Sequence, residues 1–136
     1  MTADARTAKV PPPPEAELPR RVDKPWGHEI IWAHAEQYVG KLIVIDTGRR
    51  LSFQYHDVKD EWIYVVSGRL RLTLENGSGA LEERELGPGD GAHVAVNRRH
   101  RFAAIETCTL VEVSTPELGD VIRLDDDFGR EGTSAP

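Results

Sequence analysis

Residues 48–68 read GRRLSFQYHDVKDEWIYVVSG, and the placement of polar groups in this stretch organises the rest of the chain. Gln54 and His56 stand two residues apart, so on an extended strand both side chains leave the same face. Glu61 follows a short polar break, Asp57 to Asp60, and opens a second apolar run through Ile63, Val65 and Val66. The pattern predicts two strands joined by a loop, which brings Gln54, His56 and Glu61 to a single point.

Outward from that stretch the chain is strands and turns. Arg69 to Glu75 alternates Leu70, Leu72 and Leu74 with Arg71 and Thr73, the pattern of a strand with one face in a core and the other in water. Asn76 to Gly79 makes a turn, Ala80 to Leu86 returns, and Gly87-Pro88-Gly89-Asp90 turns again, its glycines permitting positive φ. Gly91 to Val96, Arg101 to Ile105, Thr109 to Ser114 and Val121 to Leu124 continue the run. Upstream, His28 to Ala33 and Tyr38 to Asp46 are rich in aromatic and β-branched residues. The best helix start is Thr115-Pro116-Glu117, but Gly119 leaves room for little more than one turn. Short strands with close turns and no long helix predict an all-β single domain, a sandwich or a small barrel. On the Glu61 strand, Ile63 and Val65 share Glu61's side while Trp62, Tyr64 and Val66 take the other. Both faces are apolar, so the strand should be covered on both, and a homodimer is expected.

With 136 residues the chain is large enough for one core without disulfide staples. Pro11 to Pro14 and Pro19 mark residues 1–22 as a disordered, polyproline-like tail; the domain is expected over 23–130, and 131–136 as a flexible C-terminus. A net charge of −6, with Asp125 to Asp127 clustered late, argues against a nucleic-acid partner, since that affinity comes largely from clustered Lys and Arg. A small anion needs only one or two cations and stays open. No apolar run approaches the roughly 20 residues of a membrane-spanning helix. The N-terminal MTADARTAKV lacks the apolar core of a signal peptide, so a cytoplasmic location is expected. Cys108, the single cysteine, lies in an apolar strand pattern and reads as structural. Trp26, Trp32 and Trp62 read as core or interface residues, and His28 and His34 as surface or hydrogen-bonded ones.

The spacing Gly48, Gln54, His56, Glu61, Gly68 resembles the first motif of the cupin family, with glutamine in the place of the first histidine. Pro88-Gly89-Asp90 begins a second motif, and His100 stands where the family has its last metal-binding histidine. That motif departs from the family at Ala95 and Asn97, in place of a proline and a glycine, and at Ala104, in place of an asparagine. A narrower resemblance runs from Trp26 onward. Pro25-Trp26-Gly27, Leu51 to His56, Glu61-Trp62, Val65 to Gly68, Glu112-Val113 and Asp120 to Arg130 look like the type II mannose-6-phosphate isomerase domain, also found at the C-terminus of mannose-1-phosphate guanylyltransferases. In that domain a glutamine replaces the first histidine, so Gln54 agrees with it. The run of histidines that follows there is reduced here to His56, with Asp57 and Val58 after it.

The resemblance implies a double-stranded β-helix with a divalent metal held by Gln54, His56, Glu61 and His100. A mixed N/O donor set of that kind suits Zn, Mn, Fe, Co or Ni. It also implies a sugar phosphate as small-molecule substrate, an aldose–ketose interconversion through an enediolate, a base to move the proton and a cation for the phosphate. Glu112, on a strand between Val111 and Val113, is the first candidate base and His93 the second. Arg123, which matches the C-terminal signature, and Lys41 are the candidate phosphate contacts. Cupins host many activities, so another metal-dependent cupin enzyme, such as a dioxygenase or epimerase, and a non-catalytic sugar-binding cupin are the competing expectations.

Overall fold

A computed structural model describes residues 9 to 133. Its strands are β1 (Arg20–Lys24), β2 (Gly27–His34), β3 (Val39–Ile45), β4 (Phe53–Tyr55), β5 (Glu61–Glu75), β6 (Leu81–Leu86), β7 (Gly91–Val94), β8 (His100–Ser114), β9 (Ile122–Asp125) and β10 (Gly132–Thr133). The described residues contain no α-helix, only a 3-10 turn at Glu15–Glu17. The strands curl into one all-β jelly-roll barrel.

β8 is the hub. It pairs antiparallel with β3 along its second half, with β5 along its whole length, and with β4 through Gln54 and His100. On one side the sheet continues through β2 to β1, and on the other β4 leads to β9 and β10. Both β5 and β8 are continuous 15-residue strands where the sequence predicted shorter pieces. In β5 the break is a bulge: the pairing with β8 shifts register between Val65 and Leu70. Inward residues are therefore Glu61, Ile63 and Val65 before it and Leu70, Leu72 and Leu74 after it, odd and then even. Gly68 sits there at φ +82, and a Cβ on it would meet Thr107 O at 2.0 Å, so glycine is required.

Three cross-strand rows line the inside of the barrel. The first is Val39, Ser114, Glu61 and Val94, the second Lys41, Glu112, Ile63 and Ala92, and the third Ile43, Leu110 and Val65. Polar groups occupy the first two rows and disappear at the third. Beyond it Leu70, Leu72, Leu74, Phe102 and Cys108 complete an apolar core, where each large side chain contributes roughly 1.5–3 kcal/mol on burial. The polar rows place the site at one end of the barrel.

Two expectations need correction. The strand β1 begins at Arg20, inside the stretch assigned to a tail ending at residue 22, because its backbone pairs with β2 across a hairpin anchored by buried Trp26. Gly132 and Thr133, assigned to a flexible end, pair with Arg123 and Ile122. Residues 1–8 and 134–136 of those two tails lie outside the described residues. At Thr115-Pro116-Glu117, where the sequence left room for little more than one turn, the backbone makes only a turn: Leu118 N–H donates to Pro116 O and Asp120 N–H to Glu117 O. The outer face of β5 is open in the single chain, with Trp62 54%, Tyr64 51% and Val66 48% exposed.

Candidate metal centre

β4 and β8 pair so that Gln54 lies opposite His100, and cross-strand partners share a face. His56 follows at the end of β4, and Glu61 opens β5. His56, Glu61 and His100 are 3%, 2% and 1% exposed. Each offers one ligand atom, and these atoms lie within 4.8 Å of one another. Glu61 Oε1 is 3.8 Å from both His56 Nε2 and His100 Nε2.

Backbone carbonyls orient the two imidazoles. His56 Nδ1 donates to Asp120 O at 2.5 Å and His100 Nδ1 to Arg98 O at 2.8 Å. A neutral ring that donates through Nδ1 presents its Nε2 lone pair, the arrangement of a metal-binding histidine with its outer partner. Both Nε2 atoms are buried without a hydrogen-bond partner. Burial pushes His100 down to about 4, against the attraction of Glu61, so its imidazole is neutral at pH 7. Orphaned nitrogens are costly unless something satisfies them. Two imidazole nitrogens and a carboxylate oxygen fit a divalent first-row ion, and Gln54 stands beside them with its Oε1 accepting from Ser52 Oγ at 2.5 Å.

Sequence reasoning missed Lys59. It lies in the stretch read as a polar loop, yet it is 6% exposed, its Nζ 3.0 Å from Glu61 Oε2 and 3.5 Å from Glu112 Oε2. The contact with Glu61 is an ion pair without hydrogen-bond alignment, so that oxygen still lacks a hydrogen bond. Asp120, 2% exposed, turns the loop inward: its carboxylate accepts the backbone N–H groups of Asp57, Val58 and Lys59 at 3.0, 2.7 and 2.8 Å. The signal was available, since Lys59, Glu61 and Ile63 share one strand parity. Asp120 belonged to the C-terminal stretch quoted for its resemblance, without a role.

Lys59, Glu61 and Glu112 are three buried charges sharing one space. For Lys59, burial works against the charge, and Glu112 and Glu61 outweigh it and raise the ammonium's pKa. For Glu61, burial pulls upward, but the Lys59 charge outweighs it and holds the carboxyl well below its usual range. Glu112 goes the other way: burial, then the charge of Glu61, push it up to about 8. The balance is an ionised Glu61 against Lys59, with Glu112 keeping its proton at neutral pH.

A polar pocket, open to solvent, adjoins the group and is bordered by Gln54, His56, Lys59 and Asp120. Lys41 and Arg123 line it as well, 4% and 8% exposed. Lys41 donates to Glu29 Oε2 at 3.2 Å in a buried ion pair. Glu112 faces inward opposite Lys41. His93, the second candidate base, stands apart: it is paired with Asp60 at 2.6 Å and stacked on Trp62 at 4.6 Å, on the outer face. Asn97 takes φ 64 in place of the family's glycine, a left-handed conformation that asparagine tolerates better than most residues.

An end-on donor set at the mouth of a jelly-roll barrel is the arrangement that the first and last motif residues implied. Residues 41–114, more than half of the chain, match the cupin domain family, and the chain belongs to it. The chain is 32% identical over 124 residues to mannose-1-phosphate guanylyltransferase ManC of Salmonella typhimurium, covering 85% of this chain and 24% of that protein. It thus spans about a quarter of that relative's length. The structure of KdgF from Halomonas sp. superimposes with a TM-score of 0.63 at 25% identity over 71% of this chain and 87% of that one. Oxalate decarboxylase from Bacillus subtilis superimposes with a TM-score of 0.69 at 17% identity, covering 79% of this chain and 30% of that one, a likeness of fold alone.

Proposed function

We propose that this chain is a metal-dependent sugar-phosphate isomerase of the mannose-6-phosphate isomerase type, interconverting an aldose and a ketose phosphate. The observation that supports it is the meeting of His56 Nε2, His100 Nε2 and Glu61 Oε1, all on buried residues and the two nitrogens lacking hydrogen-bond partners, beside a polar pocket edged by cations. Gln54, His56, Glu61 and His100 would hold the divalent ion, whose identity among Zn, Mn, Fe, Co and Ni is open. When bound, such an ion supplies electrophilic stabilisation of negative charge developing on substrate oxygens. Glu112 carries the proton that must move between C1 and C2: buried and with a pKa near 8, it exchanges protons close to neutral pH. Lys59 positions Glu112 and Glu61 through their carboxylates. Arg123 and Lys41 face the phosphate from the pocket wall, and the ManC resemblance at both ends of the domain supports that substrate class over others.

The same reading makes the protein a cytoplasmic homodimer, joined through the open face of β5. Trp62 and Tyr64 on β5, Val113 beside Trp62 on β8, and Trp32 laid over Gly40 form an apolar surface across four strands. A surface of that size on a charged, soluble domain marks an interface. A second reading, a cupin acting on a different small molecule, is favoured by KdgF, whose chain is covered almost end to end. Metal analysis of the purified protein together with an assay of mannose-6-phosphate conversion to fructose-6-phosphate separates the two. Turnover that depends on added metal supports the isomerase; bound metal without turnover passes the site to the second reading.

A further inference from the structure

Besides Lys59, four cations line the pocket: Lys24, Lys41, Arg123 and Arg130. Two are paired with carboxylates. Lys41 is paired with Glu29, and Arg130 grips Asp126 through Nε at 2.8 Å and Nη2 at 3.1 Å. Lys24 differs, because among the described residues its ammonium has neither a hydrogen bond nor an ion pair.

Its position is fixed by the backbone. Lys24 ends β1, opposite Gly27, in the hairpin closed by Pro25 and Trp26. Trp26 is 3% exposed and plugs the core, while Asp46 N–H donates to Trp26 O at 3.0 Å and Arg49 Nη1 to Pro25 O at 2.9 Å. Gly27 has φ +154, and a Cβ there would meet Val44 O at 2.0 Å. The hairpin therefore packs against β3 and holds Lys24 at the pocket. Burial lowers the pKa of Lys24; Glu29 supports its charge, and Lys41, Arg123 and Arg130 oppose it. A partly buried ammonium without a partner is an unfavourable arrangement, and an arriving anion relieves it.

We propose that Lys24 is a direct contact for an anionic oxygen group of the pocket's ligand, a phosphate or a carboxylate, on the same wall as Arg123 and the Glu29-paired Lys41. The inference rests on the reading of this pocket as the ligand site and adds a residue that the sequence did not single out. It does not require the isomerase chemistry.

The test uses the full chain stripped of metal with a chelator, titrated calorimetrically with inorganic phosphate and with acetate at low ionic strength. Wild type should bind, and Lys24→Gln should weaken binding roughly tenfold or more, the loss of a charge-assisted contact. Lys24→Arg should restore most of it. Arg71→Gln, on the exposed face of β5, should leave it unchanged, and thermal melts should show that all variants fold. Tighter phosphate than acetate assigns a phosphorylated ligand, and the reverse a carboxylated one; either supports the contact. Wild-type affinity in Lys24→Gln, or no binding of either anion to wild type, overturns it. If Lys24→Gln loses phosphate while the metal-loaded protein turns over no sugar phosphate, the isomerase reading fails and this one stands. If turnover occurs and Lys24→Gln changes neither KM nor phosphate affinity, the outcome is the opposite.

Discussion

Between Glu61 and Val66 the two faces of β5 break the same rule in opposite directions. The inner face begins with a buried carboxylate, and Lys59, Glu112, His56 and His100 gather round it, all under 9% exposed. The outer face carries Trp62, Tyr64 and Val66, each about half exposed. Burying charge is costly unless it is paired, and leaving large apolar groups in water forfeits their burial. The chain partly answers the first problem itself, with Lys59 and two backbone-oriented imidazoles. It leaves the second unanswered, as well as the two Nε2 atoms. The proposed ion would answer the inner face and the proposed second copy the outer one.

Breaking the inner face should give the largest effects. His56→Ala and His100→Ala should each lower metal affinity by well over the 10–100-fold typical of losing an outer partner, as read by elemental analysis after dialysis. Unchanged occupancy would mean that the donors lie elsewhere. Lys59→Met leaves Glu61 and Glu112 facing each other in the barrel without their cation, and should cost about 3–5 kcal/mol in denaturant unfolding. Lys59→Arg should cost far less, and equal losses for the two would make the role one of shape rather than charge.

The metal-free protein should also lose stability in acid. His100 has its folded pKa near 4, below the usual 6.5, so between those values the unfolded chain takes up a proton that the folded chain refuses. The contribution is fully present above pH 6.5 and is lost as pH falls toward 4, on the order of 3 kcal/mol. Melting curves across that range should show the slope, and His100→Gln should flatten it; an identical slope in the variant would assign the acid sensitivity to other groups.

On the outer face, Tyr64→Glu should convert a species of twice 15.2 kDa into one of 15.2 kDa in light scattering, with metal content unchanged. A monomeric wild type would instead leave the apolar face without its proposed partner. The smallest effect is expected far from both faces. Arg50 and Asp127 form a bidentate pair, each about 40% exposed, and Arg50→Ala should cost less than about 1 kcal/mol.

Much of the barrel was legible because strand periodicity is local. The alternation of Leu70, Leu72 and Leu74 and the turns at Asn76 and Gly87 read directly, as did the shared face of Gln54 and His56. The joining of the strands before and after Gly68 was not legible, because a bulge that reverses parity looks in sequence like the end of one strand and the start of another. The cap signal at Thr115 showed that the chain turns there but not what the turn is for: it lets Asp120 reach the loop of Lys59.

The sequence by itself determined that Gln54, His56 and Glu61, three of the proposed donors, stand in one short stretch, because two strands and one loop set where each side chain leaves the backbone. His100 was added by the resemblance of a second motif. Tertiary structure alone decided what surrounds them. Lys59 became part of the centre because Asp120, some 60 residues away, holds its backbone, and Glu112 became a protonated neighbour because burial and Glu61 raise its pKa together. Lys24 faces the pocket because the Trp26 hairpin packs on β3. Each of these depends on contacts between residues far apart in sequence, and such contacts leave no periodic signature in the chain.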